Sequence, residues 1–327
     1  MSLFKTIFSF FIVFLLSFKS IAKDIPIIVI APSKSAQSYS SVGTSITSID
    51  REQISKSGKF FLGEVLNSNS VGMNYFRSGG HGTVSGIQLR GLPKRYSTVY
   101  IDGVKMSDPS SSDNSFYLSN IMTSSIDKVE ILRGSNSSIY GSGAIGGVIN
   151  IFTKKGTKKE KSINLSSGSN GTKNFDFFIE DFYNNHTYYL GINKFDTNGI
   201  SAMNDEKSTN DDDSYKNDGL IGNYSYSFNE NFKVEGSLRY SDSFLNYDEV
   251  TSGRTDANNS TDDDELSYNI KFISKKNKLN NTFSYNYTGI DRATKNYLNN
   301  SKNYYGYRDS LNYLGVYNFD LDTKLIF

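Results

Sequence analysis

The sequence predicts a mainly β chain: a small N-terminal α+β domain, then about eight strands of a large antiparallel β-barrel that crosses a membrane. Three observations carry that expectation. Aromatic residues are abundant, with 23 Tyr and 23 Phe among 327 residues, which favours strand over helix. From residue 161 onward, apolar and polar residues alternate with period 2. Tight turns and long polar connections also alternate along that stretch, as they do when turns and loops lie on opposite sides of a membrane.

Composition removes several function classes. Lys and Arg total 35 against 34 Asp and Glu, a net charge of +1, which argues against a nucleic-acid partner. The absence of Cys excludes a disulfide scaffold, a thiolate zinc site, an iron–sulfur cluster and a cysteine nucleophile. A mean hydropathy of −0.46 speaks against a bundle of transmembrane helices.

In chain order, residues 1–22 read as a signal peptide. A basic start is followed by an apolar run from Ile7 to Leu16 and a small-x-small site ending at Ala22. That run is too short to span a bilayer, which needs about 20 residues. Export is therefore expected, with a mature chain from Lys23. Residues 23–35 are short, apolar and proline-flanked. Residues 36–155 look globular and Gly-punctuated. There Asp50 and Gln53 read as a capping box, Asp102-Gly103 as a tight hairpin turn, and Val129–Leu132 as a strand. A basic connector from Lys154 to Lys161 leads into the strand region, 161–327.

In that region Phe232, Val234, Gly236, Leu238 and Tyr240 share one face opposite Lys233, Glu235, Ser237 and Arg239. The same alternation runs from Leu220 to Phe228, Leu266 to Phe272, Phe283 to Tyr287 and Leu311 to Phe319. Tight turns are expected at Asn184-Asn185, Asn229-Glu230 and Lys276-Asn277. Long loops are expected at about 196–217, 243–264 and 290–308, the first two rich in Asp and Glu. In lipid every backbone polar group must be paired, so strands that cross must close into a barrel. A soluble sandwich also alternates but gives no reason for every second connection to be long.

Catalytic constellations are missing. Gly141-x-Gly143-x-x-Gly146 fits a dinucleotide fingerprint, but that motif needs a helix after the loop. The β-branched run from Gly147 to Thr153 reads as a strand instead. The two histidines, His81 and His186, fall in different regions, and His81 lies in a Gly-rich loop where it is an exposed loop residue or a ligand contact. No nucleophile elbow, His-Glu-x-x-His or phosphate-binding loop occurs. The expectation is a protein that is not an enzyme.

Two blocks remain. One runs from Gly79 to Lys105 and holds Ile87-Gln88-Leu89-Arg90-Gly91 and Ile101-Asp102-Gly103-Val104. The other runs from Ile126 to Ile151 and holds Val129-Glu130-Ile131-Leu132-Arg133-Gly134 and Tyr140-Gly141-Ser142-Gly143-Ala144-Ile145-Gly146-Gly147-Val148-Ile149-Asn150-Ile151. Together they resemble the plug domain of TonB-dependent outer-membrane transporters, and most of all the vitamin B12 (cobalamin) branch. The resemblance implies a plug over 36–155 inside a barrel of about 22 strands. It implies a TonB box at Ile25, Pro26, Ile27, Ile28, Val29, Ile30 and Ala31, the extended segment that pairs with TonB as an added strand. It also implies residence in the outer membrane of a Gram-negative bacterium, contact with its lipid, and import driven by TonB and its inner-membrane energising complex, without covalent chemistry or a required cofactor.

Carried over position by position, the family's substrate contacts fall on Val84, Gly86, Pro93, Ser111 and Ser112. Val84 and Ser112 keep the residue type of the cobalamin pattern. Gly86, Pro93 and Ser111 depart from it, so a corrinoid is favoured and a ferric siderophore is the rival. The cobalamin branch also carries calcium in its outer loops. The matching positions are Asp218, Asp248 and Asp264, with hard oxygen ligands as calcium needs. Ser201 and Lys216 stand at other ligand positions and cannot serve in the same way; Asp211, Asp212 and Asp213 are substitutes. At about 20 residues per strand, such a barrel needs roughly 440 residues. The expectation is a truncated chain holding a whole plug and about a third of a barrel, and a non-transporting fragment stays open as a reading.

Overall fold

The computed structural model describes residues 27–113, 115–201, 212–248, 259–320 and 323–327. The expected signal peptide, together with Ile25, Pro26 and Asp211, lies outside the described residues.

The elements of the N-terminal domain begin where local chemistry puts them. β1 (Ile28–Val29) pairs antiparallel with β2 (Gln37–Ser38). β3 (Ile46–Asp50) ends at Asp50. The Asp50 carboxylate accepts the Gln53 amide at 2.9 Å, and the Gln53 side chain accepts the Asp50 amide at 3.0 Å. This reciprocal cap starts α1 (Arg51–Lys56). α2 (Leu62–Asn69) buries Leu62, Val65 and Leu66, the i, i+3, i+4 stripe of a helix with one covered face. β4 (Met73–Arg77) and β5 (Ser85–Leu89) form a separate antiparallel pair. β6 (Ser97–Ile101) turns into β7 (Val104–Lys105) through Asp102 and Gly103, at φ 52° and 89°, the left-handed conformation such a two-residue turn requires. β8 (Ile126–Arg133), α3 (Ser137–Tyr140) and β9 (Gly147–Thr153) complete the domain. The glycine-rich run thus enters a strand, as its β-branched continuation indicated.

Five strands form one sheet in the order β3-β8-β9-β6-β7. β6 and β9 are parallel, and the other neighbours are antiparallel. The helices α1 and α2 and the sheet enclose a core that includes Ile49, Ile54, Leu66, Val99, Val129, Ile131 and Ile149. Burial of such aliphatic side chains contributes about 1.5–3 kcal/mol each.

Beyond it, nine strands among the described residues follow in sequence order and pair antiparallel: β10 (Glu160–Ser167), β11 (Lys173–Tyr183), β12 (His186–Thr197), β13 (Tyr215–Asn229), β14 (Phe232–Tyr247), β15 (Asn259–Lys276), β16 (Leu279–Lys295), β17 (Ser301–Asn318) and β18 (Lys324–Ile326). Tight turns sit at 184–185, 230–231 and 277–278, two of them one residue past the expected place. Asn184 and Asn277 supply the positive φ there.

The long connections are shorter than expected: 198–214, 248–258 and 296–300. β15 and β17 reach 18 residues, well beyond the about 9–11 that a tilted strand needs to cross hydrocarbon. Polar residues continue the ladder past the apolar belt; Asp264, for example, stands opposite Asp291. The change from apolar to polar marks the edge of the belt, not the end of the strand.

The two faces of this sheet are inverted relative to a soluble protein. Leu238, Tyr240, Leu266, Ile270, Phe272 and Phe283 are exposed on the outer face. Asn217, Asn223, Arg239, Glu265, Asn269 and Thr288 are buried on the inner face against the N-terminal domain. An apolar aromatic outside and a polar inside are what a barrel in lipid presents.

Candidate functional site

Three groups of contacts seat the N-terminal domain on the strand wall. At one end, Arg51 pairs with the buried Glu180, and the Lys154 ammonium lies 3.5 Å from the centroid of the Phe178 ring. In the middle, the Asp102 carbonyl accepts from Lys271 at 2.5 Å and from Asn269 at 3.2 Å, and Asn223 reaches the Lys154 carbonyl at 2.7 Å. At the other end, Arg292 bridges Asp108 at 2.9 Å and Asp263 at 3.0 Å. Tyr215 donates to Asn120 at 2.9 Å, and Arg308 donates to Ser107.

The five expected substrate positions fall in two stretches, 84–93 and 111–112, the two apices that the resemblance implies. Val84 is exposed in the connection between β4 and β5, its carbonyl accepting the Ser78 amide at 3.0 Å. Gly86 is buried in β5, opposite Phe76. Pro93 is exposed before a short 3-10 turn, Lys94–Tyr96. Ser111 and Ser112 sit in the loop after β7; Ser111 donates to Asp113 at 2.9 Å, and Ser112 is exposed.

Three unpredicted residues join these apices. Lys94 lies 3.6 Å from Asp113 and 4.5 Å from the centroid of the Tyr117 ring. A Cβ at Gly86 would stand 2.7 Å from the Phe76 ring and 3.1 Å from the Lys94 stem, so only glycine leaves room there. Arg292 also approaches the Tyr117 ring, at 5.6 Å. Burial of Asp113 would raise its carboxyl pKa, but hydrogen bonds from Ser115 and Ser111 and the Lys94 charge hold it below the usual carboxylate range.

His81 is half-buried rather than exposed. Its ring lies 5.2 Å from Phe61 and 5.1 Å from Phe195 of the wall, and its Nδ1 accepts from Arg77 at 3.0 Å. Burial and then the Arg77 charge push its pKa down, against a smaller opposing effect of Glu64. His186 opens β12 at the far end, with Nδ1 2.7 Å from the Tyr224 hydroxyl.

In the segment expected to be the TonB box, Ile27 and Ile28 are exposed while Val29 and Ala31 are buried. The amides of Ile30 and Ala31 donate to the Glu130 carboxylate at 2.9 and 2.6 Å. Tyr140 donates to the Ala31 carbonyl at 2.6 Å.

Residues 38–148 match the TonB-dependent Receptor Plug Domain family. Over 223 residues the chain is 28% identical to the vitamin B12 transporter BtuB of Vibrio vulnificus strain CMCP6, covering 68% of this chain and 36% of that protein. The BtuB of strain YJ016 is 26% identical over 209 residues, covering 64% and 34%. The chain is thus similar to TonB-dependent receptors, and its residues 38–148 carry their plug domain. It spans about a third of the length of those two relatives. Two solved receptors share the fold. The alcaligin outer-membrane receptor FauA of Bordetella pertussis matches with a TM-score of 0.72 at 17% identity, over 91% of this chain and 48% of that one. The ferripyoverdine receptor of Pseudomonas aeruginosa matches with a TM-score of 0.71 at 14% identity, over 91% and 43%.

The acidic positions separate in the fold. Asp218 is paired with Lys194 at 2.8 Å, and Asp264 accepts from the Tyr240 hydroxyl at 2.5 Å, both on the outer face. Asp242, not anticipated, stands between them in the register. Two strand spacings, about 10 Å of backbone, separate Asp218 from Asp264. Asp248 follows the end of β14, and Ser201, Asp212 and Asp213 lie in the connection before β13. Lys216, in β13, stands opposite Asp196. Among the described residues no three His, Asp or Glu side chains are arranged to hold a metal ion. As placed, Asp218 and Asp264 are engaged by Lys194 and Tyr240.

Proposed function

We propose that this receptor chain belongs to an outer-membrane importer of corrinoids. Ligand would bind from outside at the two apices of the plug. The segment around Ile28 would then be offered to TonB on the periplasmic side, and TonB, energised by its inner-membrane complex, would draw the plug aside. No covalent step is needed; the protein's work is recognition and gated passage.

The observation that supports this best is the joined apices. Val84, Pro93 and Ser112 are exposed, and Lys94, beside Pro93, lies 3.6 Å from Asp113, beside Ser112. The similarity to two vitamin B12 transporters favours a corrinoid. The siderophore reading draws on the likeness to FauA and the ferripyoverdine receptor, which concerns the fold.

Binding of cyanocobalamin and of ferric siderophores, side by side to the full-length protein in detergent, tests the proposal. Micromolar or tighter cobalamin binding is expected. A ferric siderophore bound in its place would move the assignment to the rival ligand class.

A further inference from the structure

Lys94 occupies the point on which the expected contact positions converge. It follows Pro93, its stem fills the space that Gly86 leaves open, and its ammonium faces Asp113, the residue after Ser112. Its partner there is weakly held. The Lys94–Asp113 separation is 3.6 Å, beyond a good hydrogen bond. The two side chains are 24% and 29% exposed, and pairs this open to water contribute about 0–1 kcal/mol. Asp113 does not depend on Lys94: it accepts from the Ser111 hydroxyl at 2.9 Å and the Ser115 amide at 3.0 Å. Separating the pair therefore leaves the carboxylate bonded and the ammonium with a long, 3.5 Å contact to the Tyr117 hydroxyl. The next residue, Arg95, is exposed and adds a second positive charge to the same turn.

We infer that Lys94 is an anion-binding residue of the apical site, exchanging Asp113 for a phosphate or carboxylate carried by the ligand. The inference rests on the corrinoid reading and sharpens it. A cobalamin carries one phosphodiester, and that is the group Lys94 meets. The Tyr117 ring, 4.5 Å from the ammonium, gives Lys94 a second attraction that persists while the anion is exchanged. The departure of Asp113 from Lys94 loosens the loop of the second apex relative to the first, so occupancy alters how the two are joined.

Two measurements on the full-length protein in detergent test this. In the first, amide exchange of residues 93–96 and 107–117 is followed with and without millimolar inorganic phosphate, at constant ionic strength set with chloride. Phosphate is expected to alter exchange severalfold in the wild type, to have no effect in Lys94→Met, and to act at lower concentration in Asp113→Asn. No response in the wild type, or an equal response in Lys94→Met, overturns the inference. In the second, cyanocobalamin is compared with dicyanocobinamide, which lacks the phosphodiester. Lys94→Met is expected to weaken the first about tenfold, the loss of one charge-assisted bond, and to leave the second within about twofold. Equal weakening of both overturns the inference and leaves the corrinoid reading standing. A phosphate response without binding of either corrinoid refutes the corrinoid reading and leaves the anion site standing.

Discussion

The backbone amide of Ala31 donates to a carboxylate oxygen of Glu130 at 2.6 Å, across 99 residues of chain. Glu130 is fully buried in β8, accepts the Ile30 amide as well, and pairs with Lys128 at 2.5 Å; Lys128 in turn donates to the Ile28 carbonyl at 3.2 Å. One carboxylate thus fastens the segment expected to leave when TonB engages. Hydrogen bonds to a charged group are each worth about 1.5–3 kcal/mol. Glu130→Ala should speed amide exchange at Ile30 and Ala31 by at least about tenfold and expose the segment to protease. Unchanged exchange would mean that burial of Val29 and Ala31 alone holds it.

Arg292 anchors the second apex to the wall. Its guanidinium meets Asp108, which is 1% exposed, and Asp263. Arg292→Ala would leave two buried carboxylates without their cation, a loss of about 3–5 kcal/mol. The expected result is a lower midpoint in denaturant and faster exchange across 107–117, with 93–96 less affected. Arg292→Lys should restore part of the stability, since a point charge replaces one of two directed contacts.

Much of the fold was legible in the sequence because its causes are local. The Asp50–Gln53 cap, the Asp102-Gly103 turn and the outward alternation along β13–β17 all follow from neighbouring residues. The plug motifs announced a domain whose sheet order no local rule supplies. The strand ends were misread because hydropathy reports the lipid belt, while the ladder continues through Asp262–Asp264. The apical site was half legible. Resemblance pointed to Gly86, Pro93 and Ser111, but Lys94 meets Asp113 and Tyr117 only through the fold, from 19 and 23 residues away in the chain. Asp242 was missed because only cross-strand register sets it between Asp218 and Asp264.

His81 makes the docking of the first apex sensitive to acid. Its Nδ1 accepts from Arg77, which has only donors, so protonation breaks the contact and sets two cations together. Its pKa is depressed by burial and by Arg77. The unfolded chain therefore binds the proton more readily than the fold does. Stability from this contact is complete above the unfolded value of about 6.5 and is lost as pH falls through the lower folded value. Exchange of residues 79–83, corrected for the intrinsic rate at each pH, should rise between pH 7.5 and 5, and His81→Phe, which keeps the ring packing, should flatten that dependence. A pH response that survives in His81→Phe would assign it to another group.

Gly156 holds the plug to its wall by having no side chain. Its φ is +70°, and a Cβ there would lie 2.5 Å from the Tyr188 amide nitrogen and 2.7 Å from the Asp181 carbonyl. Both are backbone atoms of paired strands, β11 and β12, and neither can rotate away as a flexible side chain could. Alanine would add the strain of a left-handed conformation, about 1 kcal/mol, to a clash that moves the connector. The connector carries Lys155, which reaches the buried Asp102 at 3.4 Å, and follows Lys154, seated on Phe178. Gly156→Ala should therefore act at a distance. Exchange should rise at Thr153 and Asp102, and the pKa of Lys154, lowered by burial to about 8, should move back up as its ammonium gains water. A titration by lysine-selective labelling of Lys154 checks this. A Lys154 that titrates as in the wild type would show that the connector absorbs the methyl group without shifting.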